Sequence, residues 1–428
     1  MNAVRAWAMR APRAASCRQR TSRRVRLSSV ASRVALGLLV IASVVPVTAS
    51  AQRAPRRDAR AIARLRDSVQ AVLARGLAAQ AYPGAIAVVG TATRTLATVA
   101  VGQLDAADPT VPDAHTRWDL ASLTKVVGTT TLVLQLVDQG RIALDTPVVR
   151  YLPDWRGERV DAITVRHLLT HSSALPAWRA FHKEADDAAE ARQQLLLVSP
   201  EDAPGTRYRY SDIGFLLLGR LVERMTAQRL DSAFATRVAA PLGLRETGWL
   251  PSYELRAVIA PTEFDPWRQR KVRGDVHDEN AFRFGGLAGH AGLFSTAADM
   301  ARIARLWLGG GAVGTTRLAR RATVAEFTRV QDTLVSRRAL GWETPTGTNS
   351  AGTRLSARAF GHTGFTGTSM WMDPTKDLFI VLLTNRVNPT RENSRIGGVR
   401  TGLADAVVGA LEGARPAPVA PVPAPRTP

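Results

Sequence analysis

The sequence predicts an α+β fold in which an antiparallel sheet is flanked by helices and joined to a helical lobe. Two short apolar runs near the amino end, residues 85–89 and 95–101, have the length and composition of strands and surround a short turn. Two similar runs, residues 367–372 and 377–384, lie near the carboxyl end. The long middle of the chain is mostly helical in pattern. One sheet built from the early and late strands is therefore the simplest architecture, with a functional site in the cleft between sheet and lobe.

The helices are predicted from apolar side chains that recur at helical intervals and from the residues that start and stop such runs. The first run ends before Pro83-Gly84, and the second stops at Gly140. A short third run begins at Thr164, a residue type that caps helices. Residues 251–290, which contain several prolines and glycines, are predicted to be a long loop-rich segment. The predicted helices cover residues 58–79, 122–137, 164–170, most of 181–230, 296–308 and 396–411.

The first 51 residues have the pattern of a secretory signal. A basic region ends at Arg33, an apolar run covers residues 34–45, and Ala49-Ser50-Ala51 offers a small-residue cleavage site. The run is shorter than the roughly 20 residues of a spanning helix, although an uncleaved anchor is the alternative. Cleavage would remove Cys17, the single cysteine. Residues 52–414 are then predicted to form one domain, and the proline-rich residues 415–428 a disordered tail.

The formal net charge of +21 raises the question of a nucleic-acid partner. Nine of these charges come from arginines within residues 1–51, a region without an acidic residue. The other arginines are scattered, and they form no basic stripe with interleaved aromatic side chains, which nucleic-acid binding would require. The composition therefore predicts no nucleic-acid partner, and a membrane contact only through the signal segment if it is not cleaved.

The second predicted helix begins with a serine and a lysine three positions apart, Ser122 and Lys125. Residues at this spacing lie on one face of a helix. A serine hydroxyl is a weak nucleophile that needs an adjacent base, and a lysine in apolar surroundings loses its proton more easily. A capping serine followed by an ordinary exposed lysine has the same pattern, so the motif alone indicates a nucleophile without establishing it.

A tyrosine in the helical middle is a candidate proton carrier. Tyr210-Ser211-Asp212 precedes an apolar helix expected at residues 215–222. If the tyrosine hydroxyl faced Lys125, the cation would lower its pKa. The alternative is a structural aromatic residue at a helix start, with Ser211 or Asp212 as the cap.

A glycine-rich segment before the last two predicted strands could approach a ligand closely. It runs Gly361-His362-Thr363-Gly364-Phe365-Thr366-Gly367, and its glycines remove the side chains that would keep a ligand away from the backbone. A backbone N–H from this segment, paired with that of Ser122, could form an oxyanion hole. The alternative is a turn that leads into an edge strand.

Together the three segments resemble the penicillin-recognising serine hydrolases, which include class C β-lactamases, serine DD-peptidases and β-lactamase-like carboxylesterases. The motifs of that superfamily are S-x-x-K, Y-x-N or S-x-N, and K/H-T/S-G, in this order. Residues 144–147, 168–173 and 289–296 also resemble it, and the similarity covers about residues 58–412. In this sequence the motifs are Ser122-Leu123-Thr124-Lys125, Tyr210-Ser211-Asp212 and His362-Thr363-Gly364.

The resemblance implies a β-lactamase/DD-peptidase-like fold and a role for each matched residue. Ser122 would be the nucleophile and form an acyl-enzyme. Lys125 and Tyr210 would share the general-base and general-acid work, and which of them takes the first proton stays open. The backbone N–H groups of Ser122 and Phe365 would form the oxyanion hole. No cofactor and no metal are implied. The implied substrate-binding residues are Asp212, His362, Thr363, Gly364 and Phe365.

Two residues depart from the usual motifs. Asp212 replaces an asparagine, and a carboxylate there would raise the pKa of Lys125 and shift the base role towards Tyr210. His362 replaces the lysine typical of β-lactamases, which favours a DD-peptidase or carboxylesterase over an efficient β-lactamase. A DD-peptidase must bind a terminal carboxylate, and His362, Arg386 and Arg391 are the candidates for that contact.

Two histidine-containing segments suggest metal binding only weakly. His167 and His171 have the spacing of two ligands on one helix, but Leu168 stands where a zinc protease has its glutamate. His277-Asp278-Glu279 lies in the loop-rich segment without a paired motif, so a solvated loop or a lid over the cleft is the preferred interpretation.

The sequence as a whole predicts an exported, metal-independent serine hydrolase that acts on an ester or amide. The expected substrate is a small molecule or a peptidoglycan peptide, such as a cell-wall D-amino-acid peptide. The alternatives are a weak β-lactamase and a non-catalytic protein that binds cell-wall peptide or penicillin. The oligomeric state is left open.

Overall fold

A computed structural model describes residues 53–347 and 349–413 of the chain. The predicted signal segment, residues 1–51, and the predicted tail, residues 415–428, lie outside the described residues. Among the helices that are described, none is long and apolar enough to cross a membrane.

The main sheet has five antiparallel strands, which lie in the order Phe360–Thr363 (β10), Ser369–Asp373 (β11), Leu378–Thr384 (β12), Gly84–Gly90 (β1) and Thr95–Gly102 (β2). The central pairing joins the two ends of the domain, because Ala85 lies opposite Thr384 and Gly90 opposite Phe379. The early and late strands therefore share one sheet, as the sequence predicts. The strands of the described chain are β1 (Gly84–Gly90), β2 (Thr95–Gly102), β3 (Trp118–Asp119), β4 (Gly248–Trp249), β5 (Phe264–Asp265), β6 (Arg270–Lys271), β7 (Leu293–Ser295), β8 (Ala312–Val313), β9 (Thr316–Arg317), β10 (Phe360–Thr363), β11 (Ser369–Asp373) and β12 (Leu378–Thr384).

The helices fall into those that cover the sheet and those that form the lobe. Helices α1 and α12 pack together on one face of the sheet, and α10 packs on the other face. The α-helices of the described chain are α1 (Arg53–Ala78), α2 (Thr131–Asp138), α3 (Val165–Leu169), α4 (Phe181–Glu184), α5 (Ala188–Leu195), α6 (Asp212–Thr226), α7 (Leu230–Phe234), α8 (Ala240–Leu242), α9 (Glu279–Arg283), α10 (Ala297–Leu308), α11 (Arg321–Thr328) and α12 (Ile396–Glu412).

Alternation along β1 divides the buried residues between two cores. Ala85, Ala87 and Val89 belong to the core beneath α1 and α12. Ile86 and Val88 face the larger core, which continues into the helical lobe. This alternation is the period-2 pattern of a strand that is covered on both faces.

The segment after Ser122 differs from the single regular helix that was predicted. Residues Lys125–Thr130 form a π-helix, and α2 continues from Thr131. Every residue of the π-helix is buried, so the predicted burial is confirmed although the helix type is not. Single π-turns often occur at functional sites.

Two other predictions about secondary structure need correction. The helical stretch predicted for 181–230 is interrupted, because residues 199–211 have no helix. The glycine-rich segment precedes the last two strands as expected, but its first residues were not predicted to form a strand, and Phe360–Thr363 is the edge strand β10. Its pairing with β11 places Thr363 opposite Ser369 at the point where the strand ends.

Candidate active site

Ser122 and Lys125 meet as the motif predicts. The Lys125 side chain is fully buried, and its Nζ donates hydrogen bonds to Ser122 Oγ at 2.9 Å and to the His290 carbonyl at 3.1 Å. The same Nζ lies 2.7 Å from Asp212 Oδ1. The contact with Asp212 is an ion pair, and it brings a carboxylate charge to the lysine that the two hydrogen bonds hold in place.

The backbone before the π-helix turns sharply to present Ser122. Ala121 has a positive φ of 45°, and its N–H donates to Asp119 Oδ1 at 2.8 Å. The other carboxylate oxygen, Asp119 Oδ2, accepts the N–H of His277 at 2.6 Å. A positive φ costs an alanine energy that the surrounding contacts must offset. Asp119 therefore holds the turn that precedes the nucleophile.

Tyr210 lies against Lys125. Lys125 Nζ is 5.0 Å from the centroid of the Tyr210 ring. On its other side the ring packs on the His171 imidazole, with centroids 4.4 Å apart. The next residue, Ser211, caps α6 by accepting the N–H of Gly214. The capping interpretation is thus correct for Ser211, and it coexists with a site position for Tyr210.

The charges around Lys125 shift two pKa values upwards. Burial alone would lower the pKa of Lys125, but the Asp212 carboxylate and the Tyr210 hydroxyl offset it, so that the pKa is raised above its ordinary value. Burial raises the pKa of Tyr210, and the nearby Lys125 opposes only part of that effect. In the resting site Lys125 is therefore an ammonium and Tyr210 a neutral phenol.

Two hydroxyl contacts fix the turn after β10 to the strand that leads to Ser122. Thr366 Oγ1 donates to the Asp119 carbonyl at 2.7 Å, and Thr368 Oγ1 donates to the Leu120 carbonyl at 3.1 Å. The close approach depends on Gly364, where a Cβ would lie 2.4 Å from the Leu120 oxygen. Residues 364–368 are thereby held next to the nucleophile, and we name them the oxyanion turn.

The two expected oxyanion donors have no other use within the part of the chain that the structure describes. Neither the N–H of Ser122 nor that of Phe365 makes a hydrogen bond to a described residue. The Phe365 ring is 49% exposed, and it lies between the His277 imidazole at 5.6 Å and the Arg386 guanidinium at 4.4 Å.

His362 is buried beside Tyr210 and is uncharged. Its Nδ1 donates to the Thr363 carbonyl at 2.7 Å, which leaves Nε2 as an acceptor without a partner among the described residues. Burial lowers the pKa of His362 well below its ordinary value, and the cations Arg338 and Lys125 lower it further. This histidine therefore offers a substrate a hydrogen-bond acceptor and no positive charge.

The other two candidates for a carboxylate contact have partners within the protein. Arg386 donates to the carbonyls of Phe365, Arg391 and Asn393. Arg391 pairs with Glu263 and Glu279. Both guanidinium groups therefore support the loop behind the oxyanion turn.

Sequence reasoning did not assign Arg338 to the site. Arg338 is 7% exposed, and its guanidinium carbon lies 5.8 Å from the centroid of the Tyr210 ring. It donates to the Tyr208 hydroxyl at 3.2 Å and lies 3.6 Å from Glu343. One arginine among many scattered ones gives no sequence signal, because its position depends on the fold.

The segment around Asp278 packs beside the site, which corrects the expectation of a solvated loop. His277 is 4% exposed, and Asp278 Oδ1 lies 3.0 Å from His290 Nε2. Burial opposes ionisation of Asp278, but His290 and other partners hold its pKa well below the usual range. The family-like segment at 289–296 was the available signal, since it contains His290, which also supplies its carbonyl to Lys125.

Asp278, His290 and Asp212 form the one group with metal-ligand spacing among the described residues, with ligand atoms within 4.8 Å of one another. The Lys125 ammonium, 2.7 Å from Asp212, already supplies a cation to this group. His167 and His171 have separate partners, because His167 Nδ1 accepts the N–H of Thr164 and His171 Nδ1 that of Ser211.

This geometry defines a serine hydrolase in which a helical serine and lysine meet a tyrosine and a turn at the edge of a sheet. The family model described as Beta-lactamase matches residues 69–401, and the chain belongs to that family.

Curated relatives agree with this assignment. Proteins from Salmonella agona and Salmonella typhi, each named "Putative D-alanyl-D-alanine carboxypeptidase", are 32% identical over 322 residues, covering 68% of this chain and 74% of theirs.

Solved structures share the fold at lower sequence identity. EstCE1, described as a hydrolase with promiscuous acyltransferase activity, is similar with a TM-score of 0.66 and 21% identity, over 82% of this chain and all of its own. A penicillin-binding protein homologue from Caulobacter crescentus has a TM-score of 0.66 and 20% identity, over 81% of this chain and 98% of its own.

Proposed function

We propose that this protein is an exported hydrolase that cleaves the terminal amide of a D-amino-acid peptide through an acyl-enzyme on Ser122. The observation that carries the proposal is the hydrogen bond between Ser122 Oγ and the buried Lys125 Nζ. The relatives named for D-alanyl-D-alanine carboxypeptidase activity support this substrate class, and the signal-like residues 1–51 support export.

Acylation begins when the Ser122 oxygen attacks the substrate carbonyl carbon. In the fraction of enzyme whose Lys125–Tyr210 pair has already lost one proton to solvent, the hydroxyl proton passes to that pair, and the negative charge that develops on the substrate oxygen is met by the N–H groups of Ser122 and Phe365. The C–N bond then breaks, and the pair returns its proton to the leaving amine. The product of this half-reaction is an ester on Ser122 and a free amino acid.

Deacylation repeats the same steps with water. The pair removes a proton from water as its oxygen attacks the ester carbonyl, and the proton returns to the Ser122 oxygen when the ester bond breaks. One water is consumed for each amide cleaved. The His290 carbonyl, which accepts a hydrogen from Lys125 Nζ, and the Asp212 carboxylate, 2.7 Å from it, keep the lysine in place throughout.

The first test is an intact mass spectrum of the protein from Gln52 onward after incubation with benzylpenicillin. A β-lactam is a cyclic amide, and an acylated Ser122 would add the whole drug to the protein mass. We expect a stable adduct on the wild type and none on Ser122→Ala. An unmodified protein with the drug destroyed would indicate a β-lactamase. An unmodified protein with intact drug would contradict a penicillin-sensitive peptidase.

A carboxylesterase is the second candidate, favoured by the state of the charged groups. His362 is neutral, and the guanidinium groups of Arg386 and Arg391 are engaged within the protein, so these candidates do not offer a terminal carboxylate a free cation. Release of D-alanine from a peptide ending in D-Ala-D-Ala, measured beside hydrolysis of a short-chain p-nitrophenyl ester, separates the two. Ester turnover alone would select the esterase, and the absence of both would leave the non-catalytic binder.

A further inference from the structure

Arg400, on helix α12, reaches the oxyanion turn through its guanidinium group. Its Nη2 donates to the carbonyl of Gly364 at 2.7 Å and to that of Thr368 at 2.8 Å. Gly364 O also accepts the N–H of Gly367 at 3.0 Å. A single guanidinium nitrogen therefore ties together the two ends of this turn.

The Gly364 carbonyl and the Phe365 N–H belong to the same peptide group. In a trans peptide these two groups point in opposite directions. A cation that binds the oxygen fixes the plane of the peptide and draws electron density towards that oxygen. The N–H at the other end becomes a stronger donor, because hydrogen bonds in a chain polarise one another. Bonds from a charged donor are about twice as strong as neutral ones.

We propose that Arg400 is a positioning residue that orients and polarises the Phe365 N–H for the oxyanion of the reaction. The inference rests on the proposed function, in which Phe365 is one of the two oxyanion donors. Arg400 does not touch the substrate in this account, and it acts only through the Gly364–Phe365 peptide.

The surroundings of Arg400 agree with a role directed at carbonyl groups. Among the described residues no carboxylate forms a salt bridge with Arg400, Glu343 acts on it only through its charge, and the Arg400 Nε is buried without a hydrogen-bond partner. Burial lowers the pKa of Arg400 to about 10, with Arg386 adding to the effect, and at neutral pH the side chain is still charged. An unpaired charge in such a place costs stability, so its contacts with the turn need an explanation beyond packing.

Arg386 secures the next peptide in the same turn. Its Nε donates to the Phe365 carbonyl at 2.7 Å. Each of the two peptide groups on either side of Phe365 thus accepts a hydrogen bond from an arginine. Arg400 binds the carbonyl of the peptide before Phe365, and Arg386 binds that of the peptide after it. Arg386 also stacks on the exposed Phe365 ring. Replacing Arg386 would therefore disturb the ring as well as the peptide, so Arg400 is the more specific residue to replace.

The test compares Arg400→Met and Arg400→Lys with a matched control, Arg354→Met. Arg354 also reaches α12, through Glu412 at 2.9 Å, but it does not contact the oxyanion turn. For each variant we would measure kcat and KM on the substrate that the wild type turns over. The melting temperature and the inhibition constant of a boronic acid, which forms a tetrahedral anionic adduct on a serine, complete the set.

We expect Arg400→Met to lower kcat by about 10- to 100-fold with little change in KM. This is less than the ~10²–10³-fold cost of removing an oxyanion donor, because the N–H remains. Boronate affinity should fall by a similar factor, since the adduct carries the charge of the transition state. Arg400→Lys should recover part of both losses, and Arg354→Met should match the wild type.

Three outcomes would overturn the inference. Wild-type kcat and boronate affinity in Arg400→Met would show that the contact does not act on the reaction. If Arg400→Met yields less folded protein, but the folded molecules bind the boronate as tightly as the wild type, Arg400 has a structural role only. If Arg400→Met does not fold, the uncharged Arg400→Gln takes its place, and wild-type values for both measurements in that folded variant would have the same meaning. Failure of the proposed function would look different from failure of the Arg400 inference. If the proposed function is wrong, Ser122→Ala keeps the wild-type activity and the boronate does not bind at Ser122.

Discussion

At the scale of single residues, the main feature is a buried ammonium that is held by more negative charge than the usual motif supplies. Asp212 stands where the motif has a neutral asparagine, and it raises the pKa of Lys125 against the effect of burial. Lys125 can accept the Ser122 proton only after it has lost one of its own. The fraction of enzyme in the basic form of the Lys125–Tyr210 pair therefore increases with pH.

We predict that Asp212→Asn moves the acidic limb of the kcat/KM–pH profile to lower pH. Removing the carboxylate removes the largest interaction that raises the pKa of Lys125. The pair would then lose its proton at a lower pH, and activity near neutrality would increase relative to the plateau. The measurement is kcat/KM across neutral and alkaline pH, which reports the ionisation of the free enzyme.

Asp278→Asn is the matched control for this change. Asp278 is a second nearby carboxylate, but it pairs with His290 at 3.0 Å and not with Lys125. The same substitution there should shift the limb less. An acidic limb that stays in place in Asp212→Asn, or moves to higher pH, would contradict the assignment of the limb to the Lys125–Tyr210 pair.

At the scale of elements, the oxyanion turn depends on a glycine that lets two backbones touch. A Cβ on Gly364 would lie 2.1 Å from Thr368 Oγ1 and 2.4 Å from the Leu120 carbonyl. We predict that Gly364→Ala lowers kcat by about 10²-fold, because the turn must move and carry the Phe365 donor away from the oxyanion. Steady-state kinetics on the purified variant measure this loss.

Gly397→Ala is the control for a glycine replacement on the same side of the molecule. A Cβ at Gly397 meets nothing within 4 Å, and alanine is the better helix former. We expect wild-type kcat and equal or higher stability for this variant. Wild-type kcat in Gly364→Ala would mean that the turn does not supply the donor.

The π-helix requires a second close approach, between Gly128 and Trp249. A Cβ on Gly128 would lie 2.6 Å from an atom of the Trp249 ring. We predict that Gly128→Ala destabilises the protein by about 1–3 kcal/mol, as overpacking of a filled core does. Urea unfolding would measure this, and an unchanged midpoint would contradict it. The Trp249 N–H bonds the Ala291 carbonyl at 3.2 Å, so the displacement would also reach the segment that holds Lys125.

The elements were predicted well where a local pattern determines them and poorly where distant contacts do. Helix α1 and strands β1, β2 and β12 follow from apolar spacing in the sequence, and the structure places them within a few residues of the expected bounds. The π-helix was missed because a run that is apolar all round does not distinguish one helical geometry from another. Strand β10 was missed because its glycine and polar residues resemble a turn until β11 lies beside it.

The candidate site was predicted in the same uneven way. The geometry brings Ser122, Lys125 and Tyr210 together as the motifs predict. Arg400 and the Asp278–His290 pair were not assigned, because no spacing along the chain connects them to Ser122. Their roles depend on which backbone atoms they reach after folding, and a side chain that acts through a carbonyl leaves no motif.

At the scale of the whole molecule, the two ends of the domain depend on each other. Helix α1 buries Leu65, Val69 and Leu73 completely, against the sheet and α12. Each fully buried side chain of this kind contributes about 1.5–3 kcal/mol, and the net stability of a domain is only about 5–15 kcal/mol. The first helix is therefore part of the minimal folded unit.

We predict that a chain beginning at residue 79 does not fold, whereas one beginning at residue 53 does. The shorter chain would expose the apolar face formed by β1 and β2 and one side of α12. Thermal melts followed by circular dichroism distinguish the two. A cooperative transition at the same temperature for both chains would show that α1 is dispensable.

The order of the chain also sets the timing of its chemistry during synthesis. Strand β1 lies between β2 and β12 in the sheet, so one of its edges stays open until residue 384 has been made. The nucleophile and its base are translated early, whereas Phe365 and Arg400 follow Tyr210 by roughly 10–40 s at ordinary elongation rates. An unfinished chain thus carries the serine without the groups that stabilise its transition state. The active site is complete only when the last helix of the domain is in place.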